Sequence, residues 1–330
     1  MKNLLQKTVL LTMIFGAVLT AQDKSAEKIT GQIFFDYTNT LSKEAGKTNH
    51  EFEFTRIYFG YENAVSDEIK YYFLIDADRT DADNQRLEVF IKNAKIDWIT
   101  KYGTIMIGMQ GMNMFTLQEA NWGYRFIEKS VMDVKGFSSS ADIGIAYANK
   151  ITKELDVKFM VTNGGGFKKA EADKYKKYSL NLGFGENKLA SKEGYNIGTS
   201  VSVEPVKIND NLEYTTVYGV FGGFQFGGFR MGAEFDQKFS KTSANVSKTE
   251  MIISAYANYS IIENLDVFGR ADIYDPNSKT YNDGENYFIG GFNYNASKGL
   301  SVAPNIRVKQ SWNEGSDAQV DFKVNFLFKI

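Results

Sequence analysis

The feature that most limits what this chain can fold into is a strict two-residue alternation kept up over segments of ten residues or more. The last segment, "AQVDFKVNFLFKI", places Val320, Phe322, Val324, Phe326, Phe328 and Ile330 on one face and Asp321, Lys323, Asn325 and Lys329 on the other. An early one, "ITGQIFFDYTN", does the same with Ile29, Ile33, Phe35 and Tyr37 against Thr30, Gln32, Asp36 and Thr38. Side chains of a β-strand point to opposite faces with period two, so these are strands with one apolar and one polar face. Similar segments lie near 51–63, 68–78, 86–98, 102–110, 138–149, 153–163, 175–186, 194–204, 212–226, 229–240, 250–262, 264–275, 285–296 and 299–312, about sixteen strands in all. Soluble strands usually run about five or six residues. A strand tilted across a bilayer needs about nine to eleven. The reading is therefore all-β: a transmembrane antiparallel barrel with apolar residues toward lipid and polar residues toward water. Three prolines and 29 glycines suit long uninterrupted strands.

The N-terminus, "MKNLLQKTVLLTMIFGAVLTAQDKS", has Lys2 and Lys7 before an apolar run from Val9 to Leu19, with Ala21 ahead of Gln22. That is the pattern of a cleaved export signal over 1–21, leaving 22–330 as a single barrel domain. Removing two lysines takes the formal charge from −2 to −4. With 38 basic and 40 acidic residues the chain lacks the basic surplus of a nucleic-acid binder. It has no cysteine, hence no disulfide framework and no thiolate chemistry. Aromatics placed near strand ends (Tyr37, Tyr61, Trp98, Tyr147, Tyr195, Phe239, Tyr259 and Trp312) suit the two girdles of an outer-membrane barrel.

Connection lengths alternate as well. With both termini in the periplasm, odd connections face outward and should be long: "LSKEAGKTNH", "RTDADNQ", "NGGGFKKAEADK", "SKTSANVSK" and "DPNSKTYNDG" fit. Even ones are short, such as "NAVSD", "TK" and Gly227–Gly228; a short "VKINDN" and a long "NKLASKEG" break the rule. The third outward connection, about 111–136, is the longest, and the only normal-length helical pattern falls near 114–130. Loops of this length in a tightly connected fold are usually functional. A sixteen-stranded barrel is too wide for wall side chains to fill. The expectation is that this loop folds into the lumen, pinned by Trp122, Tyr124 and Phe126, with Glu119, Arg125, Glu128 and Lys129 at the opening.

The segments "FEFTRIYFGYE" (52–62), "IKNAKIDW" (91–98), "IGMQG" (107–111), "WGYRFIEKS" (122–130), "SADIGIAY" (140–147), "TNGGGF" (162–167), "GRADIYDPN" (269–277) and "GLSVAPNIRV" (299–308), in this order, resemble the phosphate-selective porin O/P family of Gram-negative outer membranes. The resemblance implies a sixteen-stranded barrel, commonly a homotrimer, whose third loop forms the constriction and which passes small anions or other small hydrophilic solutes. Outer-membrane lipid, lipopolysaccharide and the barrel-assembly machinery are the implied partners, and no cofactor is expected. Strand phase together with the resemblance nominates Arg56, Lys92 and Arg270, with Arg125, as basic lining. Phosphate selectivity itself is not carried over, because the polar faces hold at least as many acids, among them Asp76, Asp78, Glu88, Asp142, Glu234, Asp236, Asp272 and Asp321. Arg270 has a plain alternative as half of an ion pair on the inner wall.

No catalytic arrangement stands out. His50, the single histidine, lies in the first outward connection away from any triad pattern. Asp76, Asp78, Asp81 and Asp83 lack the glycine and distal glutamate of an EF-hand loop, so a solvated acidic loop is the expectation there. Gly164, Gly165 and Gly166 read as a flexible loop tip. The expected function is a passive outer-membrane diffusion channel. The alternative is a structural or adhesive barrel with a closed lumen and larger outward loops.

Overall fold

A computed structural model describes residues 27–42, 50–79, 86–208, 210–243 and 246–330. The expected signal segment 1–21, most of the first outward connection, and Asp81 and Asp83 lie outside the described residues.

The alternating segments form sixteen strands: β1 (Lys28–Thr40), β2 (His50–Ala64), β3 (Ile69–Arg79), β4 (Leu87–Thr100), β5 (Gly103–Gly111), β6 (Ala141–Lys150), β7 (Leu155–Thr162), β8 (Lys177–Gly185), β9 (Gly194–Ile208), β10 (Asn211–Phe226), β11 (Phe229–Ser243), β12 (Val246–Ile262), β13 (Leu265–Asp275), β14 (Glu285–Ser297), β15 (Leu300–Ser311) and β16 (Gln319–Lys329). Each pairs antiparallel with its neighbours in sequence. β16 returns to β1 with Ile33 opposite Phe328 and Tyr37 opposite Val324, closing the barrel. In hydrocarbon an unpaired backbone group costs several kcal/mol, and closure is the way a sheet avoids a free edge.

Burial follows the period-two phase. Phe59, Ile91, Ile107, Ile145, Ile197, Phe288 and Ile306 are exposed on the outside. The opposite phase carries buried polar groups such as Asp36, Asp76, Asp142, Ser200, Arg230, Arg270, Arg307 and Asn325. Several inward positions break the rule: Phe34, Ala146, Met160, Val217, Ile252, Phe268, Ile289 and Ala303 are apolar and buried. Each belongs to a cluster that also contains residues from the β5–β6 connection.

The connections correct one expectation. "SKTSANVSK" is no loop. β11 and β12 continue into it, Ser240 opposite Lys248 and Lys241 opposite Ser247, with a register shift between Lys241 and Ser243 and two residues left between the strands. Hydroxyl side chains keep a water-exposed ladder going where an apolar pattern has stopped, so hydropathy alone ends the strand too early. The long even connection between β8 and β9 is as the sequence has it. Of the aromatics assigned to girdles, Trp98, Tyr195, Phe239 and Tyr259 are exposed. Trp312 instead packs over Gly284 and donates from Nε1 to Asn286 Oδ1 at 3.1 Å.

Ile107 sits at the middle of β5, outward, opposite Ile96 and Ile145. Ile107→Arg should destabilise the barrel in lipid by about 2–4 kcal/mol, the cost of a cation near the bilayer midplane. Urea titration of barrels refolded into vesicles reads this directly.

Candidate functional site

The 29 residues between β5 and β6 hold two short helices, α1 (Thr116–Trp122) and α2 (Val131–Val134). α1 stops at Gly123, whose φ of 75° lets its N–H reach Glu119 O at 2.9 Å. A Cβ at this position would meet Arg230 Nη2 at 2.9 Å and Ala190 Cβ at 3.0 Å, so a residue without one is required twice over. Ser130 caps α2 by accepting from Asp133 N at 3.3 Å.

The segment meets the polar phase of strands all round the ring. Asn113 Nδ2 donates to Lys158 O on β7 at 2.7 Å. Asn121 and Asn196 on β9 exchange two amide hydrogen bonds, at 2.7 and 2.8 Å. Four wall side chains then grip main-chain carbonyls. Arg230 Nη2 holds Trp122 O at 3.1 Å, and Asn325 Nδ2 holds Phe126 O at 3.2 Å. Arg307 Nη2 holds Ile127 O at 2.5 Å, and Arg270 Nη1 holds Lys129 O at 2.6 Å. Trp122, Tyr124, Phe126 and Ile127 pack with Phe34, Phe268, Ile289 and Ala303, while Met114, Phe115, Val131, Met132 and Phe137 pack with Val217 and Ile252. Each fully buried large apolar side chain is worth about 1.5–3 kcal/mol. The apolar interruptions of the inner wall are therefore the seats of this segment.

The nominated residues fall into two groups. Arg56, Arg125, Glu128 and Lys129 line one cavity of about 220 Å³, together with Asp36, Arg307 and Lys323. Lys92, Glu119 and Arg125 line a second cavity of about 300 Å³ toward the end of the barrel where β1 begins and β2 turns into β3, near Thr30 and Tyr72. Glu128, Arg307 and Lys323 also line a third, of about 340 Å³, toward the outward ends of β13–β16. Arg270 is 5% exposed and committed to Asp272, 2.8 Å from its Nε, besides Lys129 O. It is an internal ion pair that anchors the segment, along one strand rather than across two.

Ion pairing sorts the rest. Arg56 reaches Asp78 at 2.5 Å and Asp76 at 3.2 Å, and Lys92 reaches Asp76 at 3.0 Å. Asp78 also takes Lys168 at 2.8 Å. Asp76 and Asp78 are thus held by basic groups, and among the described residues no cluster of acids is placed to hold a metal. Lys168 comes from "NGGGFKK", which is not a free tip: Gly164 N donates to Asp142 at 2.6 Å, Phe167 N donates to Ala141 O, and Phe167 meets Phe90 edge-on. Arg125 pairs with Glu119 and lies 3.4 Å from both Asp133 and Tyr58 OH. Glu128 accepts from Arg307 Nη1 at 2.7 Å and Tyr287 OH at 3.0 Å. Burial would raise its pKa, but Arg307 and Arg270 together hold the carboxyl below the usual range. Lys129 Nζ has no ion-pair partner among the described residues. Burial pushes its pKa down, Asp133 opposes this, and the nearby cations of Arg56 and Arg125 add to the lowering.

Arg307 and Arg230 are anchors that the nominated set of basic residues does not include. Their role depends on which carbonyl lies opposite, and strand phase does not encode that. Arg307→Ala should free Ile127 O and leave Glu128 without its main cation, a loss of about 3–5 kcal/mol for breaking a buried pair. Arg307→Lys should recover only a part, since one ammonium cannot reproduce the planar fork. Urea unfolding and limited proteolysis within 112–140 check both.

The molecule is a transmembrane sixteen-stranded antiparallel barrel of the outer-membrane type. No protein-family model matches the chain, and no curated protein matches it by sequence. Among solved structures, the anion-selective porin of Comamonas acidovorans is similar with a TM-score of 0.73 at 10% identity, covering 93% of this chain and 100% of that one. In-vitro folded OmpT, an outer membrane protein of Vibrio cholerae, in its trimer form gives 0.67 at 14% identity, covering 93% and 100%. The outer membrane channel DcaP of Acinetobacter baumannii gives 0.63 at 13%, covering 93% and 97%. At identities this low, TM-scores of this size show a shared fold alone.

Proposed function

We propose that this protein is a passive diffusion channel of the Gram-negative outer membrane, without a catalytic step, for small hydrophilic solutes with a preference for anions such as phosphate. In this reading residues 112–140 cross the lumen and narrow it. One observation carries it: the three cavities share residues in sequence. The outward cavity meets the middle one at Glu128, Arg307 and Lys323, and the middle one meets the periplasmic one at Arg125. Together they trace a route beside the segment, along β1–β4 and β14–β16. The opposite side of the segment packs against apolar seats on β6, β7, β10 and β12, beside a separate cavity of about 380 Å³ lined by Asn113, Thr116, Leu117, Lys158 and Asn181.

The middle cavity is the smallest of the three, and its lining has five basic groups against two acids, Asp36 and Glu128. Both acids are already engaged, by Lys323 at 3.4 Å and Arg307 at 2.7 Å. Arg56 and Arg125 are engaged as well, by Asp76 and Asp78 and by Glu119, so the positive bias of this cavity falls to Lys129, whose Nζ has no ion-pair partner among the described residues. Charge acts within about 10 Å in ordinary salt, so the local count there matters more than the chain's overall −2.

The adhesive or structural alternative calls for large outward loops and a closed lumen. Two-residue gaps between β9 and β10 and between β11 and β12, and the linked cavities, favour the channel. A homotrimer in lipid and lipopolysaccharide, inserted by the barrel-assembly machinery with β16 as the signal strand, and a phosphate-selective porin O/P relationship belong to the same proposal. The trimer form of one structural relative agrees with it.

Planar-bilayer recording of refolded 22–330 should give stepwise ohmic conductance and a reversal potential of anion-selective sign in a KCl gradient. Lys129→Gln should move that potential toward the cation side. Because the Lys129 pKa is lowered, wild-type anion preference should begin to fall at a pH below the usual lysine range, near 10.4, and this decline should be missing in the variant. A folded barrel that never conducts would overturn the reading.

A further inference from the structure

The connection between β8 and β9, residues 186–193, lies at the end of the barrel where the tight turns 101–102 and 227–228 lie, and it is much longer than they are. It winds into a single turn in which Ser191 N and Lys192 N both donate to Lys188 O at 2.9 Å. The turn is tied down on three sides. Asn187 Nδ2 donates to Asp156 on β7 at 2.5 Å, and Asn196 Nδ2 on β9 donates to Glu186 O at 2.7 Å. Gly227 N, in the neighbouring turn, donates to Glu193 at 2.9 Å. Lys188, Ser191, Lys192 and Glu193 are exposed, whereas Leu189 between them is 0% exposed. A leucine in so polar a stretch is buried because the connection folds inward, where its side chain leaves water.

The place it reaches is the foot of α1. A Cβ at Gly223 on β10 would lie 3.3 Å from Leu189 Cδ1 and 3.2 Å from Asn121 Nδ2 of α1, so both side chains occupy the room that this glycine leaves. The next residue, Ala190, brings its Cβ within 3.0 Å of where a Cβ at Gly123 would be, at the end of α1. Leu117, one helical turn before Asn121, lies over Gly183 on β8, with its Cδ1 2.6 Å from a Cβ built there. Asn196 fastens the junction. It is 3% exposed, exchanges two amide hydrogen bonds with Asn121, and gives the second N–H of the same Nδ2 to Glu186 O. The same helix carries Glu119, which lines the second cavity and pairs with Arg125.

We propose that residues 186–193 are a pedestal for the constriction, and that Leu189 is its positioning residue. The segment 112–140 enters the barrel from one end, and the pedestal meets residues 121–123 from the other. α1 is thereby fixed at its far end, and with it the reach of Glu119 and Arg125 into the route. This rests on reading 112–140 as the constriction. Truncating Leu189 leaves a cavity into which α1 can settle, whereas methionine keeps the volume.

The test uses the full refolded barrel with Leu189 as Leu, Ala or Met. Single-channel conductance and acrylamide quenching of Trp122 are both read well below the urea midpoint. Trp98 and Trp312, the other two tryptophans, are replaced by Phe throughout. Leu189→Ala should raise the quenching of Trp122, which is 2% exposed and adjoins Gly123, and should change the open-channel conductance and its flicker. Leu189→Met should return both to the values of the Leu189 protein. A lowered urea midpoint with both readouts unchanged would make Leu189 a plain packing residue and overturn the proposal. Raised quenching with unchanged conductance overturns it too, since α1 would then have moved without altering the route. If Leu189→Ala does not fold, Leu189→Val must show both changes in smaller measure, and the proposal fails otherwise. A barrel that follows the quenching pattern but never conducts sinks the channel reading and leaves the hold on α1 intact.

Discussion

Everything in this molecule depends on satisfying backbone hydrogen bonds where no water can do so. A chain crossing hydrocarbon as strands has no tolerance for a free edge, and the pairing of β1 with β16 removes the last one. Closure has a second effect. Sixteen strands fix a lumen that wall side chains cannot fill, so whatever gives the barrel an identity beyond a pipe must come from a connection. The outside of the ring is constrained by lipid to be apolar, and the inside is left free to vary.

That freedom is used unevenly. The inner phase is polar where it meets water and apolar where it meets residues 112–140. Phe34, Val217, Ile252, Phe268 and Ile289 look like violations of a porin-like pattern until the segment is placed against them. Hydrophobic burial supplies adhesion there, and Arg230, Arg270, Arg307 and Asn325 supply orientation through carbonyl contacts. Glu128 holds Arg307 in place from the loop side. The result is a segment held against several strands of the wall by both kinds of contact.

Strand count, order and inner or outer phase were legible because a period of two is a local property, visible residue by residue. The third outward connection was legible because alternation fails there for longer than anywhere else. What escaped reading depends on contacts across the ring. Arg270 has the same phase as a pore-lining residue, and only the position of Lys129 O and Asp272 makes it an anchor. The extra length of β11 and β12 escaped because Ser, Thr and Lys pair as readily in a water-exposed ladder as they sit in a loop. Asp236 reads as an ordinary acid of a polar face, and nothing local marks it as fully buried.

Four wall side chains orient the segment through its main-chain oxygens, at residues 122, 126, 127 and 129. Every residue type except for its side chain offers the same carbonyl. On the channel reading, a side chain such as that of Lys129, whose carbonyl and not its ammonium is held, can therefore be exchanged without loosening these four contacts. If the proposed channel holds, aperture and selectivity are separately heritable in such an arrangement, and a lineage can retune one while keeping its architecture.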